Sequence, residues 1–250
     1  WLNCDPAQLK TAIRLVNKHG SVRGERGLPK LLPGLNFIAG LNGESEATYG
    51  MNMDLLRGIR SEGLLLRRIN IRQVEGEGFQ EVPSEAFARF KTDCRDEIDK
   101  PLLEELFPLG QVIHDVHWES HDGRTRLPVH ETELHRAPEV HGKAGITFGR
   151  QIGAYPILVG VEYKIPLETQ SSVMITGHGA RSITGVEVGL DPMNVSEKQL
   201  ESIPGIGKKS AWSLVSVRAK LRSKGKAVEL EPWLDQAGIP LTETVRNVLG

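Results

Sequence analysis

The chain has few cysteines. Its 250 residues hold two, Cys4 and Cys94. That excludes a disulfide scaffold and any metal site built from thiolates alone. Long apolar runs are also missing. Nothing approaches the roughly eighteen residues a membrane span needs, and the longest runs are as short as Ile157-Leu158-Val159. No membrane partner is therefore expected. No internal repeat of fixed period appears. Residue 1 is Trp rather than Met, and no basic-then-apolar leader follows. The expectation is a piece of something longer, cut upstream. What is present is ordinary: 39% hydrophobic and 25% charged residues, a globular composition with material for one large domain or two to three small ones.

Overall charge is also nearly absent, at -1. Its distribution says more. Between Asn194 and Lys226 lie Lys198, Lys208, Lys209, Arg218, Lys220, Arg222, Lys224 and Lys226, opposed by Glu197 and Glu201, a local surplus of six. A basic block in a neutral protein is the footprint of a polyanion-binding module, or else a solvated helix tail.

Periodicity divides the chain into three regions, taken as 1–107, 108–190 and 191–250. The first alternates helix and strand. Asp5 caps a helix from Pro6 to Lys18, and Leu35 to Ala39 forms a buried strand. Ser45 caps a helix from Glu46 to Glu62, and Leu64 to Val74 is a second strand. One or two helices then fill Pro83 to Phe107. This order implies βαβ units and a parallel sheet, with ligands at the carboxyl ends of its strands. The second region has short β-type runs at 112–118, 145–148, 155–161, 172–176 and 183–188, predicting a small antiparallel sheet or barrel. The third is helical, with a break at Pro204-Gly205-Ile206-Gly207 before a helix from Lys208 to Arg222.

The segment from Asn194 to Ala211 carries Leu200-Glu201-Ser202-Ile203-Pro204-Gly205-Ile206-Gly207-Lys208-Lys209-Ser210-Ala211. It resembles the helix-hairpin-helix family of non-specific DNA binders. Gly205 and Gly207 allow backbone angles and close approach that a side chain forbids. Ile203 and Ile206 pack under the turn. The second helix then offers unpaired N–H groups and its dipole to a phosphate, with Lys208, Lys209 and Arg218 adding charge. Such binding reads the backbone of DNA or RNA and weakens with salt. The same hairpin also serves as a protein-packing joint. It is no P-loop, because the four-residue gap before Gly-Lys is missing.

Asn36-Phe37-Ile38-Ala39-Gly40-Leu41-Asn42-Gly43-Glu44-Ser45 reads as strand, glycine turn and capped helix start, followed one helix later by Leu64 to Val74. Together with Phe148 to Gly160 and the hairpin, this order resembles an archaeal-type family of radical S-adenosylmethionine, Fe-S oxidoreductase enzymes with a C-terminal helix-hairpin-helix motif. Asn42 replaces the family's usual proline and Ser45 its threonine. Glu75-Gly76-Glu77-Gly78-Phe79-Gln80 stands where a Phe-Pro-Gly-Thr-Pro-like turn is usual. The resemblance implies the C-terminal part of a partial (β/α) barrel, then a small antiparallel β-barrel-like domain, then a helix-hairpin-helix domain. It also implies S-adenosylmethionine and a 4Fe-4S cluster as cofactors of the full-length protein. Gly40, Gly43 and Glu44 would line the adenosyl side, and Asn70, Arg72 and Gln73 would face the barrel mouth. The residues themselves leave open that these polar groups pair with one another. The three-cysteine cluster motif is not in this chain, so cluster and catalysis would lie upstream.

In the middle region, Arg150, Tyr155 and Arg181 are candidate nucleic-acid contacts, since Arg meets phosphate and Tyr stacks on bases. Core and rim roles fit them equally. His121, His130, His135 and His141 lie in one stretch, with His114 and His117 just before it; the spacings of nine, five and six match no helix face, no thiolate is near, and the stretch reads as a polar surface loop. Three functions remain: a fragment of a radical enzyme acting on or tethered to nucleic acid, a non-catalytic DNA- or RNA-binding module, and a hairpin used for protein assembly. A reducing cytoplasm is the expected compartment.

Overall fold

The computed structural model describes residues 5–25, 27–74, 76–121, 145–151 and 156–250. The chain forms two compact units, Trp1–Leu106 and Phe107–Gly250.

In the first unit, α1 (Pro6–Gly20) starts at Asp5, whose carboxylate accepts from the Gln8 N–H in a reciprocal capping box. Strand β1 (Gly34–Ala39) leads through α2 (Glu46–Ser61) to β2 (Arg68–Gln73). The two strands pair in parallel, Gly34 opposite Arg68 through Ala39 opposite Gln73. Helix α3 (Ser84–Asp93), a π-helical stretch Cys94–Asp99 and α4 (Lys100–Leu106) follow without a break. Leu56, Ile59, Leu66, Ile69, Phe90 and Ile98 form the centre of the core. Tyr49 lies against Phe87 and Phe90, with ring centroids 5.8 and 5.7 Å away. Asn17 is buried and ties α1 to the segment before β2. Its Nδ2 donates to the Leu65 carbonyl and its Oδ1 accepts from the Leu65 N–H.

This architecture overturns the expected partial (β/α) barrel. Among the described residues the parallel sheet has two strands and no more. A glycine turn between strand and capped helix is local information and looks alike in any βαβ unit. The number of strands depends on non-local pairing.

The second unit begins with a closed five-stranded barrel. Its strands are β3 (Val112–Ser120), β4 (Thr147–Gln151), β5 (Leu158–Val161), β6 (Gln170–His178) and β7 (Ser182–Glu187). They are hydrogen-bonded in the order β3-β4-β5-β7-β6, and β6 pairs back with β3. The barrel is not wholly antiparallel as expected, because β5 and β7 run parallel. A Greek-key order of this kind is that of the OB-fold barrel. Its interior is filled by Ile113, Val116, Trp118, Val159, Val161, Val173 and Val186, with side chains alternating in and out of the wall.

Four helices close the chain: α5 (Glu197–Glu201), α6 (Lys208–Ser223), α7 (Leu230–Ala237) and α8 (Glu243–Leu249). Leu200, Ile203, Ile206, Ala211, Leu214, Trp233, Leu234 and Val248 form their common core. They are fastened to the barrel at the end of β7. The Leu190 N–H donates to the Val248 carbonyl at 2.7 Å. The Glu187 N–H donates to the Tyr163 hydroxyl, and its carboxylate accepts from Gln199 Nε2. No helix among the described residues is long and apolar enough to cross a membrane.

Burial pushes the Glu187 carboxyl above its ordinary value of 4.5, although Ser171, Gln199 and Tyr163 hydrogen-bond it and pull the other way. A carboxyl raised in the folded state holds its proton longer than in the unfolded chain. It therefore weakens folding as pH rises through the window just above 4.5 and carries no such cost below it. The Tm of Glu187→Gln minus that of the wild type should rise with pH across this window. Calorimetry over a pH series checks it, and a pH-independent difference refutes it.

Candidate functional site

The hairpin between α5 and α6 is built by a four-residue turn. The Ile206 N–H donates to the Ile203 carbonyl at 2.9 Å. Pro204 and Gly205 occupy the two central positions, and Gly205 has φ +90°, the left-handed angle a type II turn demands there. Ile203 and Ile206 are each 2% exposed and anchor the turn from below. Gly205, Gly207, Lys208 and Lys209 are exposed above it.

Gly207 is the N-cap of α6, in extended backbone at φ -83° and ψ 173°. It has no side chain to offer, so no side-chain cap reaches the first amides of the helix. By helix geometry the N–H groups of Lys208, Lys209 and Ser210 have no acceptor within α6. Asp5, Ser196 and Thr242 do cap α1, α5 and α8 with side-chain oxygens. A Cβ built on Gly207 would meet no atom within 4 Å, so the space over these amides is open.

The structure thus gathers Gly205, Ile206, Gly207, Lys208 and Lys209 at one end of α6. It places Arg218 elsewhere, ten residues and about 15 Å along the helix. Arg218 is half-buried, and its Nη1 donates to the carbonyls of Pro192 and Val195 at 3.1 and 2.5 Å. Its guanidinium lies 5.9 Å from the Trp233 ring. Burial lowers its pKa, with Arg222 adding to the effect and Asp191 opposing it. It braces the turn that leads into the hairpin. Lys198 is paired with Glu201 at 2.6 Å.

Two features in and just after α6 escaped the sequence reading: the exposure of Trp212, and the groove that three cations of the basic block share. Trp212 is 63% exposed, one turn after Lys208. Lys220, Lys224 and Lys226 line an open groove of about 630 Å³ running between α6 and α7, with Glu229 the acid among its walls. The helical wheel does carry the Trp212 signal: it sits opposite the apolar face of Leu214 and Leu221.

The glycine turn after β1 is a closed network. Gly40 has φ +96°, and its N–H donates to Glu44 Oε2 at 2.5 Å. The Gly43 N–H donates to Gln80 Oε1, and Gln80 Nε2 donates to the Glu44 carbonyl. Asn42 Nδ2 donates to the Gly78 carbonyl. Asn70 Nδ2 donates to Asn36 Oδ1 at 2.8 Å across the strand pair. Arg72 and Gln73 are exposed at the end of β2. The donors of Gly40 and Gly43 are thus already taken inside the chain. No group of three or more His, Cys, Asp or Glu among the described residues could hold a metal ion, and Cys94 is a buried free thiol. These residues do not fit a cluster, and the turn offers S-adenosylmethionine no free glycine amide.

In the barrel, Arg150 is paired with Glu119 at 2.6 Å. Arg181 is exposed in the connection between β6 and β7. His114 meets Ser172 at 3.0 Å, His117 lies 3.4 Å from Glu168, and His121 Nε2 meets the Ile165 carbonyl. Tyr155, His130, His135, His141 and Cys4 lie outside the described residues.

No family model matches the chain. Over 214 residues it is 35% identical to an uncharacterized protein of Archaeoglobus fulgidus, a match covering 82% of this chain and 36% of that protein. Over 191 residues it is 34% identical to an uncharacterized protein of Methanocaldococcus jannaschii, covering 72% of this chain and 32% of the relative. The chain spans about a third of the length of these curated relatives.

Gly40 has a structural task that can be tested apart from any ligand. A Cβ there would lie 2.7 Å from the Val74 carbonyl oxygen, at a φ that L side chains avoid. Gly40→Ala should destabilise the chain by about 1–3 kcal/mol. Urea unfolding followed by circular dichroism measures it, and an unchanged midpoint refutes it.

Proposed function

We propose that this chain is a nucleic-acid-binding module that grips the phosphate backbone at the start of α6. One observation carries the reading: a helix whose N-cap is a bare glycine presents uncapped amides beneath open space, with exposed Lys208 and Lys209 on its first turn. Amide donors, helix dipole and cations there all favour an anion. The local surplus of six positive charges supplies the long-range attraction. The neighbouring barrel supports the reading by its OB-type strand order, an architecture often used on oligonucleotides. Backbone contacts carry no base information, so little sequence preference is expected. The competing reading, a protein-assembly joint, would draw on apolar surface at the turn, where Ile203 and Ile206 are turned inward and only Trp212, one turn further along α6, is exposed.

For the whole protein, of which this chain matches about a third in its relatives, the sequence resemblance supports a radical S-adenosylmethionine enzyme working on the nucleic acid held here. The cluster and its chemistry then belong to residues outside this chain. Full-length protein reconstituted anaerobically should show cluster absorbance and release 5′-deoxyadenosine. Salt-sensitive binding without either would leave a non-catalytic module. A reducing cytoplasm suits such a protein and the buried free thiol of Cys94.

Two variants test the phosphate grip. Gly207→Asp puts a capping carboxylate over the same amides that phosphate would use. It should raise or preserve Tm, because Asp is at least as good an N-cap as Gly, while lowering oligonucleotide affinity by about tenfold or more through charge opposition. A packing joint predicts no such split between stability and binding. Lys208→Ala with Lys209→Ala should flatten the plot of log affinity against log salt by about two units of slope. Filter binding over a salt series measures this, and an unchanged slope refutes it.

A further inference from the structure

We infer that the hairpin takes unpaired rather than duplex nucleic acid, with the Trp212 indole as the platform on which a base stacks. This rests on the phosphate-binding reading above and adds the class of substrate.

Two other described tryptophans show how this chain ordinarily treats the residue. Trp118 and Trp233 are 0% exposed, and each Nε1 donates a hydrogen bond at 2.8 Å, to Ser171 Oγ and to the Leu214 carbonyl. Trp212 is 63% exposed. Its helix supplies Val215, half-buried, as the one apolar neighbour one turn on, and the ring still lies open. Lys208 and Lys209 lie one turn before, and Ser216 and Ala219 lie one and two turns after on the same face. One of the module's two tryptophans therefore stands in water beside cations, while the other is buried.

Charge selects the occupant. An apolar protein partner would have to bury Lys208 and Lys209 along with the ring, and unpaired buried charges are costly. A nucleotide brings the anion that those lysines and the helix amides lack, together with a flat π-surface for the indole. The spacing agrees. Trp212 is four residues beyond Lys208, about 6 Å along the axis at 1.5 Å per residue, so a phosphate at the helix start has its own or the adjoining base within reach of the ring. In a duplex the base faces are already stacked on each other. Offering one to Trp212 requires a base that is unpaired or flipped out.

The test uses the full chain and fluorescence anisotropy with labelled oligo(dT), oligo(U) and the duplex of the same oligo(dT) with its complement, at one low salt concentration. Trp212→Ala should weaken binding of the single strands about tenfold, within the range stacked bases contribute, and leave duplex affinity and the salt slope essentially unchanged. Trp212→Phe should keep most of the single-strand affinity. Single strands should quench tryptophan emission in the wild type and lose that quenching in Trp212→Phe. Comparing oligo(dT) with oligo(U) tells whether the strand is DNA or RNA. If Trp212→Ala binds single strands as the wild type does, or loses duplex and single strand equally, stacking is overturned. In that event, a loss confined to Lys208→Ala with Lys209→Ala leaves the phosphate grip standing. No binding of any probe by the wild type overturns both readings.

Discussion

Backbone amides without an acceptor are the constraint around which the C-terminal helices are arranged. An α-helix leaves its first N–H groups unpaired, and proteins ordinarily satisfy them with a side chain or with water. At α6 the cap is Gly207, which satisfies nothing. The turn before it is held by Pro204, by Gly205 at φ +90° and by buried Ile203 and Ile206. Those fixed residues hold the start of α6 in place, so its first amides are ordered by the fold itself. Preorganised donors lose less on binding than donors that must first be ordered.

The rest of the second unit makes that helix end rigid. Arg218 spends its guanidinium on the carbonyls of Pro192 and Val195, which locks the strand of chain entering α5. Trp233 packs beneath α6 and donates to the Leu214 carbonyl. Glu187, Tyr163 and Gln199 fasten the helices to the last strand of the barrel. The cations therefore divide by setting. Lys208 and Lys209 are exposed on the first turn of α6, Lys220, Lys224 and Lys226 line the groove beside α7, Lys198 is paired with Glu201, and Arg218 holds the carbonyls of Pro192 and Val195. A charge tally along the sequence treats all of them alike.

The glycine turn of the first unit shows the opposite use of the same residue type. There the Gly40 N–H donates to the Glu44 carboxylate and the Gly43 N–H to the side-chain amide oxygen of Gln80. A glycine-rich turn before a helix is thus compatible with a ligand cradle and with a self-contained turn. The partner that decides between them at Gly43, Gln80, lies 37 positions away.

Local physics left clear marks in the sequence. Asp5 and Ser45 announced the starts of α1 and α2. The runs Leu35 to Ala39 and Leu64 to Val74 announced two parallel strands, the second of which forms only over Arg68–Gln73, and Pro204-Gly205-Ile206-Gly207 announced the break before α6. Each depends on neighbours within a few residues: a capping oxygen, an alternation, or a φ only glycine adopts easily. The partial (β/α) barrel expected from the same signals was not built. A βαβ unit has the same local pattern whether its sheet stops at two strands or continues, and the parallel pairing of β5 with β7 joins strands that are not consecutive. By itself the sequence determined the caps, the turn and the basic block, because those are short-range consequences of residue type. Only the tertiary structure decided that Arg218 turns inward, that Glu44 closes its own glycine turn and that Trp212 stays in water, because burial and pairing are settled by residues far apart in the chain.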